Sequence, residues 1–287
     1  MLSKSDLEFD LNLNILYKIG FKENWFNGEN IFISMRKASS RVFTINAPKE
    51  IDKNLLKLKF MDINMETVDL DFQNVNNYVA SFLIHFLIHN SDSINDARCI
   101  LFINSINVIE VSKTHHGLFP VSQESFFVNG SEIFQFDFLE FCREFSEIFG
   151  SHCEEMIIKC LLKYQGIFNQ ILSKNNIFLL KNMGAFVTGK TIEETWFNCY
   201  IFDYACQTQM KLGKCIHSEN VIVPDIETQK NVLKQFKGGI SSTLMLNNPN
   251  DNVEWLPGQL EFEALMRDLE YNESSSGYDF KIKSIWK

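Results

Sequence analysis

The sequence predicts an α/β fold in which helices surround one sheet. Three observations carry this. Short apolar runs rich in β-branched and aromatic residues are interleaved with longer stretches of helical periodicity. Neither a clean strand–helix–strand repeat nor any internal repeat organises them. With 5 prolines and 13 glycines in 287 residues, no linker or low-complexity segment divides the chain.

The elements follow in order. Asp6 to Phe21 has the spacing of an amphipathic helix. Ile31 to Met35 and Arg41 to Asn46 are short runs suited to strands, followed by a Lys-rich connection from Lys49 to Lys59. Asn76 to Asn90 is apolar nearly all round and predicts a buried helix, whereas "RCILFIN" (Arg98 to Asn104) predicts a strongly apolar strand. Phe136 to Phe149 and Glu154 to Tyr164 place aromatics on one side and acids on the other, as helices do. "NIFLLKN", "AFVT" and "TIEETWFNCYIFDYACQTQMKL" read as strand, strand, helix. The helix opens on a T-x-x-E capping box, Thr191 and Glu194. Its expected inward stripe is Ile192, Trp196, Cys199, Phe202, Cys206 and Met210.

Composition excludes several classes of function. Lys and Arg total 27 against 36 Asp and Glu, a net charge of −9, so no basic surface is available for nucleic acid or anionic lipid. The N-terminus "MLSKSDLEFDLNLN" lacks the unbroken apolar region of a signal peptide. The greasiest run, Tyr78 to Ile88, is too short to span a bilayer, so a cytoplasmic protein without a transmembrane segment is expected. Seven cysteines form no C-x-x-C pair. Cys153/Cys160 and Cys199/Cys206 recur at a spacing of seven, one helix face, and are expected in a reduced core.

"GAFVTGKT" (Gly184 to Thr191) matches the phosphate-loop pattern G-x-x-x-x-G-K-[ST] letter for letter. A phosphate loop needs successive backbone N–H groups turned to one side around an anion. Phe186, Val187 and Thr188 instead favour extended strand, where alternate N–H groups point opposite ways. The expected reading is strand, Gly189-Lys190 turn and Thr191 helix cap, with no nucleotide and no other cofactor.

The same stretch, "IFLLKNMGAFVTGKTIEETW", resembles the class II aldolase/adducin family, as do "DARCILFINS", "IFISMRKASSRVFTIN" and "ASFLIHFLIH". "GLFPVSQES" and "GQLEFEALMRDLEYNESSSGYDF" are similar specifically to adducins. The resemblance runs from about Leu7 to Phe280. It implies a three-layer α/β/α domain with a central mixed sheet over residues 1–287, an adducin-like head with a short tail and without the neck and Lys-rich tail. Family enzymes hold zinc with three histidines, which the resemblance matches to Phe102, Asn104 and Met183. It matches their acid/base glutamate to Ser81, if His85 is the histidine that follows it. Phenylalanine offers zinc no lone pair, and an amide or thioether is a poor ligand. No catalytic, cofactor or metal residue is therefore assigned.

Other candidates have bland readings. His85 and His89, i and i+4 on a helix, are expected to be partly buried, hydrogen-bonded histidines rather than ligands. His115 and His116 are adjacent and point apart. Ser122 and Ser125 have no His/Asp partner, and His152 to Glu155 fits a helix start. What remains is a non-catalytic adducin-like scaffold, assembling with itself or with adducin-like chains. The resemblance alone implies actin, spectrin and the plasma-membrane skeleton. The alternative is a metal-dependent carbon–carbon lyase with relocated ligands. Most phenylalanines are expected in the core, but the Phe-rich segment from Phe126 to Phe149 is expected to leave some exposed as interface anchors. The alternative is that all of them are core and the protein is a monomer.

Overall fold

The computed structural model describes residues 15–27, 32–36, 43–45, 77–91, 97–128, 133–150, 154–213, 221–236, 255–272, 278 and 280. The Lys49–Lys59 connection, His152, Cys153 and the N-terminal half of the first expected helix lie outside them. Helix α1 covers residues 15–22. There follow β1 (Ile33–Arg36), β2 (Phe43–Ile45), α2 (Asn77–His89), β3 (Cys99–Ile103), α3 (Ile106–Ser112) and α4 (Gln123–Phe127). The chain continues through β4 (Phe134–Phe136), α5 (Phe138–Gly150), α6 (Glu154–Lys174), β5 (Ile177–Leu180), β6 (Gly184–Gly189) and α7 (Ile192–Leu212). Helices α8 (Ile226–Phe236) and α9 (Gln259–Asn272) follow it.

The six strands lie in the order β2-β1-β3-β6-β5-β4. All pairs are antiparallel except β4–β5, which makes the sheet mixed. Alternation along the central strands divides two apolar layers. Cys99, Leu101, Ile103, Ile177, Leu179, Ala185 and Val187 pack with Leu16 and Ile19 of α1, Val108 of α3, Phe202 of α7 and Phe262 of α9. Ile100, Phe102, Phe178, Leu180 and Phe186 pack with Ile84 of α2, Phe141 and Phe145 of α5 and Phe168 of α6. Helices therefore cover both faces, the α/β/α arrangement expected. Fully burying each of these large side chains contributes about 1.5–3 kcal/mol.

Three expectations need correction. Most of the described phenylalanines between Phe126 and Phe149 are no surface anchors: Phe126, Phe136, Phe138, Phe141 and Phe145 are buried, and Phe141 meets Phe136 and Tyr164 edge-to-face and Phe145 at a tilt. Phe134 is 44% exposed and Phe127 partly buried. The period-2 strand β4 ahead of α5 turns these rings into the second layer, a strand that reading Phe136 onward as helix had missed. Met210, expected inside, is exposed, and Gln209 is buried in its place. The Gln209 side chain donates to Gly117 O (2.9 Å) and accepts from Phe119 N (2.7 Å), pinning the α3–α4 connection. Helix α6 also runs ten residues past Tyr164, to Lys174.

Candidate functional site

The positions that the resemblance assigns to zinc ligands meet at one end of the sheet. Phe102 closes the second-layer face of β3 and pairs in register with Phe186 of β6. Asn104 follows β3, and Met183 precedes β6 in the β5–β6 turn. That turn carries Asn182 in the left-handed region (φ 63°) and Gly184 at φ 144°. A Cβ on Gly184 would stand 2.4 Å from Ile103 O and 3.1 Å from Asn104 Cβ, so only glycine lets the turn close against β3. Ser81 lies in α2, one turn before His85.

Their chemistry does not suit zinc. Phe102 is buried with its ring 5.2 Å from that of Phe186. Asn104 is occupied at both ends of its amide: Nδ2 donates to Asn27 O (2.9 Å) and Oδ1 accepts from Asn27 N (2.8 Å). Its backbone N–H donates to Trp25 O at 2.9 Å. Asn104 therefore ties the α1–β1 connection to the sheet. Met183 packs half-buried at the edge of the Phe-rich layer. Among the described residues, no group of three His, Cys, Asp or Glu side chains is placed to hold a metal ion.

Beside this corner the sequence reading overlooked a partly buried polar cluster. Ser105, the N-cap of α3, donates to the Asp203 carboxylate from α7. Burial holds the Asp203 carboxyl above the usual carboxylate range, partly opposed by the Ser105 and Asn107 side chains. Glu23 is raised by burial too, with Lys22 opposing and Asp203 adding to it. Asp203 sits among apolar residues on α7, and that polar intrusion into an inward stripe was its signal.

Beneath the corner lies a second network, between α2 and β1. Ser34 Oγ is 2.6 Å from His85 Nδ1 and 2.8 Å from His89 Nε2, and His89 Nδ1 is 3.3 Å from Ala97 O. Ala97 O can only accept, so His89 Nδ1 carries the proton and its Nε2 accepts from the Ser34 hydroxyl. The Ser34 oxygen then accepts from His85 Nδ1–H. This leaves His85 Nε2 a bare acceptor, buried without a partner, in a ring packed edge-on to Phe186 at 5.1 Å. Burial lowers His85 to about 3, and burial with the neighbouring His85 and Arg36 charges lowers His89 well below 6.5. Both are neutral, hydrogen-bonded as expected, and buried fully rather than in part. Ser34, the hinge of the network, had been read only as part of a strand.

The remaining candidates take structural places. Ser122 caps α4: its Oγ accepts from Ser125 N, while Ser125 Oγ accepts from Ser122 N. His115 and His116 are exposed in a turn, not extended chain, and the His116 ring lies 5.4 Å from that of Phe119. Cys99, Cys160, Cys199 and Cys206 are buried thiols, and burial raises all four, Cys99 to about 12.

The Gly184–Thr191 stretch is strand, turn and cap. Positions 185–189 pair with β3 and 184–187 with β5, which fixes their backbone in the ladder. A Cβ on Gly189 would stand 2.8 Å from Thr195 N, so that glycine serves the approach of β6 to α7. Thr191 Oγ1 accepts from Glu194 N at 3.2 Å, whereas the Glu194 carboxylate reaches Lys190 N (2.8 Å), one residue before the cap. Lys190 itself is exposed. Lys190→Ala is expected to change stability by no more than about 0.5 kcal/mol. Calorimetry with ATP and GTP should show no binding to either form. Micromolar ATP binding lost on the substitution would refute this assignment.

Comparison with known proteins gives a consistent picture. A family model described as "Class II Aldolase and Adducin N-terminal domain" matches residues 15–210. Gamma-adducin of Rattus norvegicus is 22% identical over 275 residues, covering 93% of this chain and 35% of its own length. Adducin-related protein 1 of Caenorhabditis elegans is 25% identical, covering 70% of this chain and 24% of its own length. The chain spans about a third or less of these relatives. Among solved structures, an aldolase II superfamily protein from Pseudomonas syringae superposes with TM-score 0.63 at 20% identity, over 96% of this chain and 97% of that one. The L-fuculose 1-phosphate aldolase of Glaciozyma antarctica gives 0.57 at 15% identity, over 94% of each. At these identities the structural likeness shows the fold alone.

Proposed function

This chain belongs to the class II aldolase and adducin N-terminal domain family, and on that premise we propose that it is a non-catalytic, adducin-like scaffold. The observation that carries the proposal is Asn104. At a position where the resemblance implies a zinc-binding histidine, both ends of its amide are spent on Asn27. A side chain that cross-links two segments stabilises the corner instead of presenting a lone pair to a metal. With Phe102 beside it, polarisation of a carbonyl by a metal has no support here. The adducin relatives add the direction in which such a fold works without chemistry.

The scaffold would act by assembling with its own copies or with adducin-like chains. The resemblance implies actin and spectrin as further partners, at the cytoplasmic face of the plasma membrane. Anchors for assembly come from half-exposed aromatics, not from the Phe126–Phe149 stretch. Tyr17 (39% exposed) and Phe21 (49%) pack edge-to-face on α1, and Tyr200 and Tyr204 stand one turn apart on α7. A stable interface of roughly 1,000 Å² or more needs anchors of this kind. The carbon–carbon lyase alternative draws support from fold likeness alone.

Light scattering of the purified chain, with pull-down from its native cytosol, tests the proposal. The expected mass is a multiple of 33.4 kDa, or a complex with an adducin-like chain. A clean monomer that recovers no partner chain would sink it. Elemental analysis without chelator is expected to find zinc well below one per chain, and one tightly held zinc would favour the lyase.

A further inference from the structure

Helix α6 turns Leu161, Tyr164, Phe168 and Leu172 into the second apolar layer. At about 100° per residue, the opposite stripe runs through Glu155, Lys159, Leu162, Gly166 and Ser173, and all five are exposed. Two of them do not suit a face turned only to water. Leu162 is 51% exposed. Gly166 lies in the interior of the 21-residue helix, where glycine is the least favourable residue after proline.

Nothing within the chain calls for that glycine. Its φ lies outside the left-handed region, and a Cβ there would meet no atom within 4 Å. Gly20 of α1 shows the usual reason for a helical glycine, since a Cβ there would strike the Phe26 ring. At Gly166 the space is open. An apolar knob one turn before a notch is what the backbone of a second helix needs to come close.

We propose that α6 pairs antiparallel with α6 of a second copy of this chain, Leu162 of each filling the notch that Gly166 leaves in the other. This rests on the self-assembly in the scaffold reading, and adds a face across the sheet from α1 and α7. Shape selects the occupant first. Knob then notch matches itself only when the two helices run opposite ways, the two-fold arrangement of a homodimer. Charge agrees. That register sets Glu155 of one copy opposite Ser173 of the other and next to its Lys174, and the two-fold makes this contact twice. Lys174 forms no ion pair among the described residues, and the exposed Glu155 meets only Lys159 of its own helix. The chain carries a net charge of −9 and repels its own copies over most approaches, whereas α6 holds two glutamates and three lysines. One helix offers less than the roughly 800 Å² per partner of a standard interface, so the pair is weak, with a Kd on the order of 100 μM.

Sedimentation equilibrium of the full chain from roughly 10 μM to 1 mM spans that affinity, and thermal melts at the low end report the fold. Gly166→Leu fills the notch. It is expected to weaken this step of association about tenfold or more, with an unchanged or higher melting temperature, because leucine is the better helix former. Glu155→Lys should weaken it about threefold, and adding Lys174→Glu should restore it, since the exchange rebuilds the same contact in reverse. A charge that served only its own helix would show no such rescue. Assembly through the α1 and α7 aromatics is untouched by these variants. Association that Gly166→Leu leaves unchanged, or an exchange without rescue, would overturn the proposal and leave the scaffold reading to those aromatics. A wild-type chain that is monomeric throughout would overturn it as well, and the scaffold reading would then depend on a partner chain recovered from cytosol.

Discussion

Stability is expected to fall steeply as the pH drops from 6.5 to about 4.5, by about 1.4 kcal/mol per pH unit for each of two histidines. His85 and His89 are fully buried and neutral, with pKa values lowered by burial, His85 from 6.5 to about 3. In that window the unfolded chain takes up a proton at each ring and the folded chain does not. Unfolding therefore consumes protons, and stability rises with pH until it levels above 6.5. The two rings act in the same direction, so their contributions reinforce one another as the pH falls. Glu23 and Asp203 act in the opposite sense, since their raised carboxyls keep a proton that the unfolded chain has lost. They offset part of the loss, and only toward the acid end. Urea melts at several pH values will measure the slope, and His85→Asn isolates one ring. The asparagine amide can still donate to Ser34 Oγ, so this variant should fold, less stably by about 1–3 kcal/mol, with roughly one proton fewer in its slope. A wild-type chain that is as stable at pH 4.5 as at 7, or equal slopes in the two proteins, would refute the neutral network.

The pair His85 and His89 was legible because helical spacing in an apolar run forces both rings inward. Their partner was not, since Ser34 is a small polar residue in a strand and only its burial reveals it. The same contrast runs through the fold. Strands β3, β5 and β6 announce themselves because both faces of a central strand are buried, which leaves a continuous apolar run. Strand β4 is three residues long and merges with the aromatic periodicity of α5, so a helix starting at Phe136 fits the letters equally well. At the candidate site, matching to the family placed Phe102, Asn104 and Met183, which the structure brings to one corner. It could not show what Asn104 does, because its partner is the backbone of Asn27, and a backbone partner leaves no trace in residue type. Asp203 and Glu23 were missed for a related reason: they come from α7 and the turn after α1, far apart in sequence, and only the tertiary fold couples them.

Restoring histidine at the three corner positions, as Phe102→His, Asn104→His and Met183→His together, is expected to cost about 3 kcal/mol or more and to bind no zinc stoichiometrically. The two hydrogen bonds from the Asn104 amide to Asn27 each contribute about 1 kcal/mol, and imidazole cannot replace both. Their loss leaves the Asn27 N–H and carbonyl to find water. Phe102 contributes packing against Phe186, itself between His85 and Phe178, and an imidazole there brings a polar nitrogen into an aromatic layer. Met183 is half-buried, so its share is small. The three sites adjoin one another and their effects will not add simply, so each single variant belongs in the comparison. Zinc could repay the cost only if the neighbouring groups held the new rings in ligand geometry. The Asp203 carboxylate beside the corner is engaged with Ser105 and Asn107 instead. Thermal melts with and without zinc, together with elemental analysis, decide the matter. A triple variant that binds one zinc per chain, melting near the wild type when loaded, would show that the corner has kept its metal-binding frame. The structural role assigned to Asn104 would then be wrong.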